Sequence, residues 1–328
     1  MKRFATAVVV AAVSLAGCRQ TQPKKINAVR IAVPLSPITY LPVYLARELG
    51  YYVEQGLYVE LQDFPGGSKA LQAMFGGSAD ICACVYEPAI QLTSEGRHVK
   101  SFLTILDRPG LALLISPLSK HRITRVEDLK GTVVGISTPG SASHLFLNYL
   151  LARHGVPLAN VSLSSIGLGA LSIAAFTQGR IDAAVLAGSA ITTAKRRFPS
   201  VRVLADARTA EGVKAIYGLD IYPAHDLLAE AEWLRKNPET ARKLAAAVMK
   251  AMRYMQEHSP EDIRSHMPAQ YRMQDEGADL EALRATIPML SHDGRVTSEG
   301  AEAVRGVLAL SSEKVRAARF DLTGTYTK

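Results

Sequence analysis

The feature that most constrains this chain is an internal repeat of strand, loop and helix patterns at matching spacings. In the first half, Ser36 and Gly66 stand in successive loops and are 30 residues apart; Ser137 and Gly167, their counterparts in the second half, are also 30 residues apart. In both halves, a glycine ends a helix, and an aspartate three residues later begins the next strand. Several matches of this kind indicate that the two halves share one fold.

Each half is predicted to be a βαβαβ unit, which implies a parallel sheet with helices on its faces. Ligands of such sheets bind outside the carboxyl ends of the strands, where the matched loops lie. Two units with equivalent loops can face each other across a cleft. The expected fold class is therefore α/β, with two lobes and a ligand cleft between them.

The last third of the chain is predicted to be mostly helical. Asn237-Pro238-Glu239 has the residue types of a helix start. In the helix that follows, Leu244, Val248, Met252 and Met255 recur along one face. We expect these four side chains to pack in the core.

The amino terminus has the pattern of an export signal. Lys2 and Arg3 precede an apolar run without charge, which is too short to span a bilayer, so residues 1–17 are predicted to be a signal peptide. The run ends at Cys18 in Leu-Ala-Gly-Cys, which resembles a bacterial lipobox. We expect lipidation of Cys18, with residues 18–26 as a polar tether and the protein exported to the periplasm and anchored to the membrane. The alternative is an ordinary cleavage site with an incidental cysteine.

The formal net charge of +8 raises the question of nucleic-acid binding. Lys and Arg are scattered along helices and form no patch with interleaved aromatic residues, so nucleic acid is not an expected partner.

Cys82 and Cys84 lie in a predicted buried strand. Residues two apart in a strand share a face but are expected to be too distant for a disulfide. A metal site would need more ligands than this pair. We therefore expect two small buried thiols and no metal.

Several stretches in a specific order resemble a known family: "YLPVYLARELGYYVEQGLYVEL", "PGGSKALQAMFGGSADI", "VEDLKGTVVGISTPGSASH", "FTQGRIDAAVL", "NPETARKLAAAVMKAM" and "DLTGTYTK". With them, the chain resembles the periplasmic substrate-binding proteins of ABC transporters for sulfonates, nitrate and thiamine precursors. The resemblance covers nearly all of the chain after the predicted signal peptide.

The resemblance implies a type II periplasmic-binding-protein fold whose chain crosses between lobes twice, near 116–122 and 210–219. Lobe one is then 27–117 with 218–328, and lobe two is 118–217. It also implies closure of the lobes on a ligand, and delivery of that ligand by a monomer to a membrane permease driven by a cytoplasmic ATPase.

The candidate ligand-binding residues come from the matched loops. In lobe one they are Ser36, Thr39, Tyr40, Gly67, Ser68, Tyr86 and Glu87. In lobe two they are Ser137, Ser141, Ser143, His144, Gly169, Gly188 and Ser189.

These residue types favour a polar or anionic ligand group, because N–H groups at a helix start and short hydroxyls donate hydrogen bonds. Any one serine could instead cap its helix. Glu87 argues against a plain anion and suits an amino group or a ring N–H, unless it is a solvated loop acid. Tyr40 and Tyr86 could stack on a ring or pack in the core. His144 is expected to be neutral, since a cation is disfavoured in the first turn of a helix.

The expected ligand is a small organic anion such as a sulfonate, and a pyrimidine-like or other aromatic heterocycle is the alternative. The same fold could also serve a ligand-sensing partner of a membrane receptor.

An enzyme is not expected. Gly167-Leu168-Gly169 begins like a dinucleotide fingerprint, but Ser172 replaces the third glycine and no acid follows about twenty residues later. "PGGSK" lacks the spacing of a P-loop, and the chain contains neither G-x-S-x-G nor H-E-x-x-H. A eukaryotic relative of the family makes a thiamine pyrimidine with a cysteine-rich motif that is absent here. No cofactor is therefore expected.

Overall fold

The computed structural model describes residues 28–36 and 38–327. Within them lie ten strands: β1 Val29–Pro34, β2 Val59–Phe64, β3 Ile81–Val85, β4 Val99–Leu106, β5 Leu111–Ile115, β6 Val133–Ile136, β7 Ser162–Ser165, β8 Ala183–Ala187, β9 Arg202–Asp206 and β10 His225–Glu230. The predicted signal peptide, the tether and Cys18 lie outside the described residues.

The same residues form fourteen α-helices: α1 Leu41–Glu48, α2 Tyr51–Glu54, α3 Gly67–Phe75, α4 Glu87–Ser94, α5 Ala142–Arg153, α6 Ala170–Thr177, α7 Ser189–Arg197, α8 Ala210–Tyr217, α9 Ala231–Lys236, α10 Pro238–Glu257, α11 Pro260–Ser265, α12 Glu276–Thr286, α13 Ser298–Ser311 and α14 Glu313–Ala317. None of these helices combines the length and the apolar character needed to cross a bilayer.

The strands form two five-stranded sheets of equivalent order, β2-β1-β3-β10-β4 and β7-β6-β8-β5-β9. In each sheet the three strands of the repeat are parallel, and one strand from elsewhere in the chain (β10 or β5) is antiparallel to its neighbours. The predicted α/β fold with two lobes, each built on a mostly parallel sheet, is confirmed.

Both faces of the first sheet are covered by helices. Successive side chains of β1 point to opposite faces, so Ile31 and Val33 pack with α1 and α10 while Ala32 packs with α3 and α4. The predicted core residues of α10, namely Leu244, Val248, Met252 and Met255, are all buried. The prediction for this helix is confirmed.

Two segments connect the sheets and run side by side. The Tyr222 N–H donates to Asp107 O (3.0 Å), and the Gly110 N–H donates to Ala207 O (3.3 Å). We call these two paired connections the hinge, because in two-lobe proteins the connecting segments are where closure of the lobes takes place.

The first crossing lies earlier in the chain than the sequence predicts. Residues 27–117 were expected in lobe one, but β5 lies in the second sheet between β8 and β9. The reason is that β5 is antiparallel to both neighbours, and a repeat of parallel units gives no signal for such a strand. The other lobe boundaries stay predictions.

The expectation of two separate thiols is wrong in this structure. Cys82 and Cys84 form a disulfide, and their Cα atoms are 5.4 Å apart. A fully extended strand would separate them by about 6.6 Å. Both separations fall within the range of about 4.4–6.8 Å that disulfides use, so the spacing of residues along a strand does not exclude this bond.

Candidate functional site

A cavity lies between the lobes at the carboxyl ends of the parallel strands. The centre of a water molecule can reach about 50 Å³ of it. Because this volume counts only the positions of water centres, the space that a bound molecule can fill is larger, and the cavity suits a small organic molecule. Its polar lining residues are Ser36, Thr39, Tyr40, Ser68, Ser137, Ser141, Ser143 and His225, and its apolar ones include Pro34, Leu71, Val85, Pro88, Leu111, Leu168, Val185 and Ala187.

The amino terminus of α3 lines the cavity from lobe one. Gly66 ends the loop after β2, and its carbonyl accepts from the N–H groups of Lys69 and Ala70. Among the described residues, no group accepts from the N–H groups of Gly67 and Ser68. These two donors and the positive end of the helix dipole are therefore available to a ligand.

The amino terminus of α5 lines the cavity from lobe two. Three hydroxyls cluster here: Ser137 Oγ lies 2.7 Å from Ser141 Oγ and 2.9 Å from Ser143 Oγ. The Ser137 N–H also donates to Ser143 Oγ at 2.8 Å. Within the described residues, the N–H groups of Ala142 and Ser143 have no acceptor. The serines therefore order the loop while the helix keeps two unpaired donors.

The two lobes touch across the cleft. Ser68 Oγ lies 2.9 Å from Thr138 Oγ1, which joins the two helix-start loops directly. Farther out, Thr192 Oγ1 donates to Ala278 O (3.0 Å). Arg196 Nε also pairs with Asp275 Oδ2 at 2.8 Å. The structure is therefore a closed form in which the cavity is covered.

The hinge supplies one lining residue that the sequence did not indicate, His225 at the start of β10. It is buried, its Nε2 lies 2.8 Å from Pro109 O, and its Nδ1 lies 3.1 Å from Tyr40 Oη. Burial lowers the pKa of this imidazole to about 4. No motif surrounds His225, and it lies far along the chain from the repeated loops, so sequence reasoning had no signal for it.

The structure brings eight of the fourteen predicted site residues to the cavity wall: Ser36, Thr39, Tyr40, Gly67, Ser68, Ser137, Ser141 and Ser143. The prediction that both lobes contribute their helix-start loops agrees with this geometry. Whether these residues bind ligand stays a prediction.

Tyr86 and Glu87 do not line this cavity. Tyr86 is fully buried and its hydroxyl bonds to Thr325 Oγ1. Glu87 points into a second, smaller cavity, where its Oε1 accepts from the Tyr222 hydroxyl at 3.0 Å. Both side chains turn inward because α4 begins at Glu87, immediately after β3. The argument from Glu87 against an anion therefore does not apply.

The remaining candidates lie at the edge of the cleft or in its closing contacts. His144 Nδ1 accepts from the Gly140 N–H at 2.9 Å, and burial lowers the pKa of this side chain. Gly169 and Ser189 line a wider opening at the mouth of the cleft. Gly188 lies against Ser36 and Thr39 of the other lobe.

Charged groups are absent from the cavity wall. Among the described residues that line it, none is Arg, Lys, Asp or Glu. Over the same described part of the chain, no group of three or more His, Cys, Asp and Glu is arranged to hold a metal ion.

Comparison with known proteins gives a family and several curated relatives. Residues 38–262 match the family described as NMT1/THI5 like. The Bacillus subtilis protein YtlA, provisionally named a binding protein, is 25% identical over 76% of this chain and 72% of its own length. The 4-amino-5-hydroxymethyl-2-methylpyrimidine phosphate synthase THI13 of Saccharomyces cerevisiae is 24% identical over 66% of this chain, which spans 63% of the yeast protein.

Many solved structures share the fold. A Bordetella bronchiseptica protein is 30% identical, with a TM-score of 0.87 over 92% of this chain and 94% of that one. The alkanesulfonate-binding protein SsuA from Xanthomonas axonopodis pv. citri, bound to MOPS, is 17% identical, with a TM-score of 0.70 over 89% of this chain and 94% of that one.

Proposed function

This chain belongs to the NMT1/THI5-like family, and from that premise we propose that it is the exported solute-binding component of an ABC importer. It captures a small organic anion of the sulfonate class between its lobes and delivers it to a membrane permease. The observation that carries this proposal is the convergence of two helix amino termini, one from each lobe, on a single covered cavity.

The donors of this cavity suit a singly charged anion. The unpaired N–H groups of Gly67, Ser68, Ala142 and Ser143 can bond the oxygens of a sulfonate, and both helix dipoles favour its negative charge. No cationic side chain is at hand to offset the desolvation of a doubly charged phosphate. A weakly hydrated monoanion is therefore the better match.

The apolar part of the wall suits a short hydrocarbon group. Leu71, Leu111 and Leu168 line the cavity beside the donors. Burying each methylene there contributes about 0.8 kcal/mol to binding. The ligand is accordingly an organic sulfonate of a few carbon atoms rather than an inorganic anion.

The hydroxyls of the cavity support binding without chemical change. Ser137, Ser141 and Ser143 bond to one another, and among the described residues none of their side chains bonds to a histidine or a carboxylate that could activate them. One relative, from yeast, is named as a synthase, and that name describes the activity of the yeast protein. We propose that this chain has no such activity.

An aromatic heterocycle is the second candidate for the ligand. Of the groups that favoured it in the sequence, Glu87 and Tyr86 lie away from the cavity, and Tyr40 alone lines it. A ligand-sensing role would use the same site, and only a receptor in place of the permease would distinguish it.

We further propose that the protein is a monomer anchored to the membrane through lipidated Cys18. The small residues before this cysteine support the modification. Mass spectrometry of the exported protein would show a diacylglyceryl cysteine at a new amino terminus, and a chain that still begins at Met1 would contradict the anchor.

The substitution Ser141→Asp tests the site. Aspartate is a good N-cap for α5, so thermal stability is expected to be kept or slightly raised. The new carboxylate occupies the free N–H groups and repels an anion, so titration calorimetry with 1-propanesulfonate is expected to show loss of binding.

The matched control is Ser312→Asp, at the N-cap of α14 away from the cleft. It should leave the affinity unchanged. Unchanged affinity in Ser141→Asp would show that the cavity is not the binding site, and absence of binding to any short sulfonate by the unaltered protein would overturn the ligand class.

A further inference from the structure

The cavity wall contains a hydroxyl, that of Tyr40, whose proton is held by a hydrogen bond to His225, so that its oxygen acts as an acceptor toward the cavity. We propose that the ligand carries an uncharged hydrogen-bond donor, a hydroxyl or neutral N–H, in addition to its anionic group, and that Tyr40 Oη accepts from it. His225 is the positioning residue that turns the Tyr40 proton away from the ligand. This inference rests on the proposed function and narrows its ligand.

The proton on His225 is located by its carbonyl partner. Pro109 O can only accept, and it lies 2.8 Å from His225 Nε2, so Nε2 bears the hydrogen. His225 is only 4% exposed. Burial lowers its pKa to about 4, so at neutral pH the ring carries no second proton and Nδ1 is an acceptor.

The direction of the Tyr40 hydroxyl follows from this tautomer. Tyr40 Oη lies 3.1 Å from His225 Nδ1 and must be the donor in that contact. Burial raises the Tyr40 pKa, so the hydroxyl keeps its single proton. With that proton committed to His225, the oxygen offers only lone pairs to the cavity that Tyr40 and His225 both line.

The rest of the wall explains why the complementary group is uncharged. An ammonium group would need a carboxylate in the cavity, and among the described lining residues there is none. A neutral hydroxyl or amide N–H can satisfy Tyr40 Oη without this cost. A ligand with an alkyl group at this position would leave the lone pairs of the phenol oxygen without a hydrogen-bond donor.

Two sulfonates of equal length test the proposal directly. In 2-hydroxyethanesulfonate a hydroxyl replaces the terminal methyl of 1-propanesulfonate. Titration calorimetry on the unaltered protein is expected to show the hydroxyl compound binding at least about tenfold more tightly, because only it pairs with Tyr40.

The substitution Tyr40→Phe keeps the ring and removes the acceptor. Affinity for 2-hydroxyethanesulfonate is expected to fall about tenfold, and affinity for 1-propanesulfonate to stay within about twofold. Tyr52→Phe is the matched control, since Tyr52 is also buried and its hydroxyl bonds to Val43 O (3.0 Å) away from the cavity. It should leave both affinities unchanged.

The role of His225 is tested by the ratio of the affinities for 2-hydroxyethanesulfonate and 1-propanesulfonate. In His225→Phe the Tyr40 proton is no longer held, so the ratio of the two affinities should fall toward one. A purely structural role would weaken both compounds equally and keep the ratio, and that result would overturn the positioning role.

The outcomes separate this inference from the proposed function. Equal binding of the two sulfonates to the unaltered protein would overturn the inference and leave the proposed function intact. Binding of neither compound would overturn the sulfonate class and this inference with it.

Discussion

Glu87 is a buried carboxyl group in the wall of a small cavity separate from the proposed ligand site. Its Oε1 accepts from Tyr222, and its Oε2 has no partner among the described residues. The Tyr222 ring stacks on Tyr217, and Tyr217 stacks on Tyr149, with centroids 4.5 and 4.8 Å apart. Burial in this aromatic surrounding raises the pKa of Glu87 to about 7.

This shift predicts that Glu87 makes folding depend on pH near neutrality. The folded pKa is raised above the unfolded value of 4.5, so the stabilising contribution is complete below pH 4.5 and is lost as the pH rises through about 7. The loss is on the order of 3 kcal/mol at pH 8. Glu87→Gln should therefore melt several degrees higher than the unaltered protein at pH 8, and the difference should shrink toward pH 5.

Circular dichroism melts of both proteins across this pH range would measure the effect. Asp107 and Asp226 also have raised pKa values, so the difference between the two proteins is the informative quantity. Glu281→Gln, on the exposed side of α12, serves as control. Parallel melting curves for Glu87→Gln and the unaltered protein at all pH values would contradict the burial of this group.

At the scale of elements, two helix glycines have opposite surroundings. An ideal Cβ on Gly212, in α8, would lie 1.8 Å from the backbone oxygen of Asp206 at the end of β9. The same atom on Gly306, in α13, would meet nothing within 4 Å. The first glycine is required by close packing of a helix on a strand end, and the second is not.

Alanine substitutions at the two positions should therefore change stability in opposite directions. Gly306→Ala is expected to stabilise the protein by about 0.5–1 kcal/mol through helix propensity. Gly212→Ala must displace backbone and is expected to destabilise it by about 3 kcal/mol, despite the same propensity gain. Urea unfolding of both variants measures this, and a stabilised Gly212→Ala would show that α8 does not approach Asp206 this closely.

The elements that the sequence predicted well are those with a local signal. The repeat revealed the helix-start loops of α3 and α5, because small residues between a strand and a helix recur at one spacing. The position of β5 in the second sheet was not predictable from this signal, because its partners β8 and β9 come much later in the chain. Pairing of distant strands depends on packing that a single sequence does not display.

The directions of side chains in the site were also not predictable from the sequence, because they too depend on tertiary packing. Tyr86 and Glu87 follow β3 at the correct edge of the sheet, so sequence reasoning placed them in the cleft. The start of α4 at Glu87 turns both inward instead. His225 reaches the cavity only because β10 inserts between β3 and β4.

At the scale of the whole molecule, closure depends on close contact between the lobes. An ideal Cβ on Gly66, in lobe one, would lie 2.4 Å from Thr138 Oγ1 in lobe two. Thr138 cannot simply turn away without loss of its contact with Ser68 Oγ. The absence of a side chain at Gly66 therefore permits the closed form.

The substitution Gly66→Ala should hold the lobes apart. Small-angle X-ray scattering in the presence of 1-propanesulfonate is expected to give a larger radius of gyration than for the unaltered protein. Affinity for this sulfonate should fall about tenfold, since the open form lacks one wall of the site.

The double variant Gly66→Ala with Thr138→Ala provides the control for this steric account. Removal of the Thr138 hydroxyl and methyl groups makes room for the new Cβ, so the double variant should be as compact as Thr138→Ala alone. If the double variant stays as open as Gly66→Ala, collision with Thr138 is not the cause.

The order of strands in the two sheets also has a consequence for how the chain acquires its structure during synthesis. All strands of the second sheet come from the continuous stretch 111–206, whereas the first sheet needs β10, which inserts between β3 and β4. A chain that leaves the ribosome amino terminus first can therefore complete its second sheet while the first still lacks the strand between β3 and β4. Lobe one, which is synthesised first, is therefore completed last. Until β10 is made, the edges of β3 and β4 have unpaired backbone groups and are exposed to aggregation.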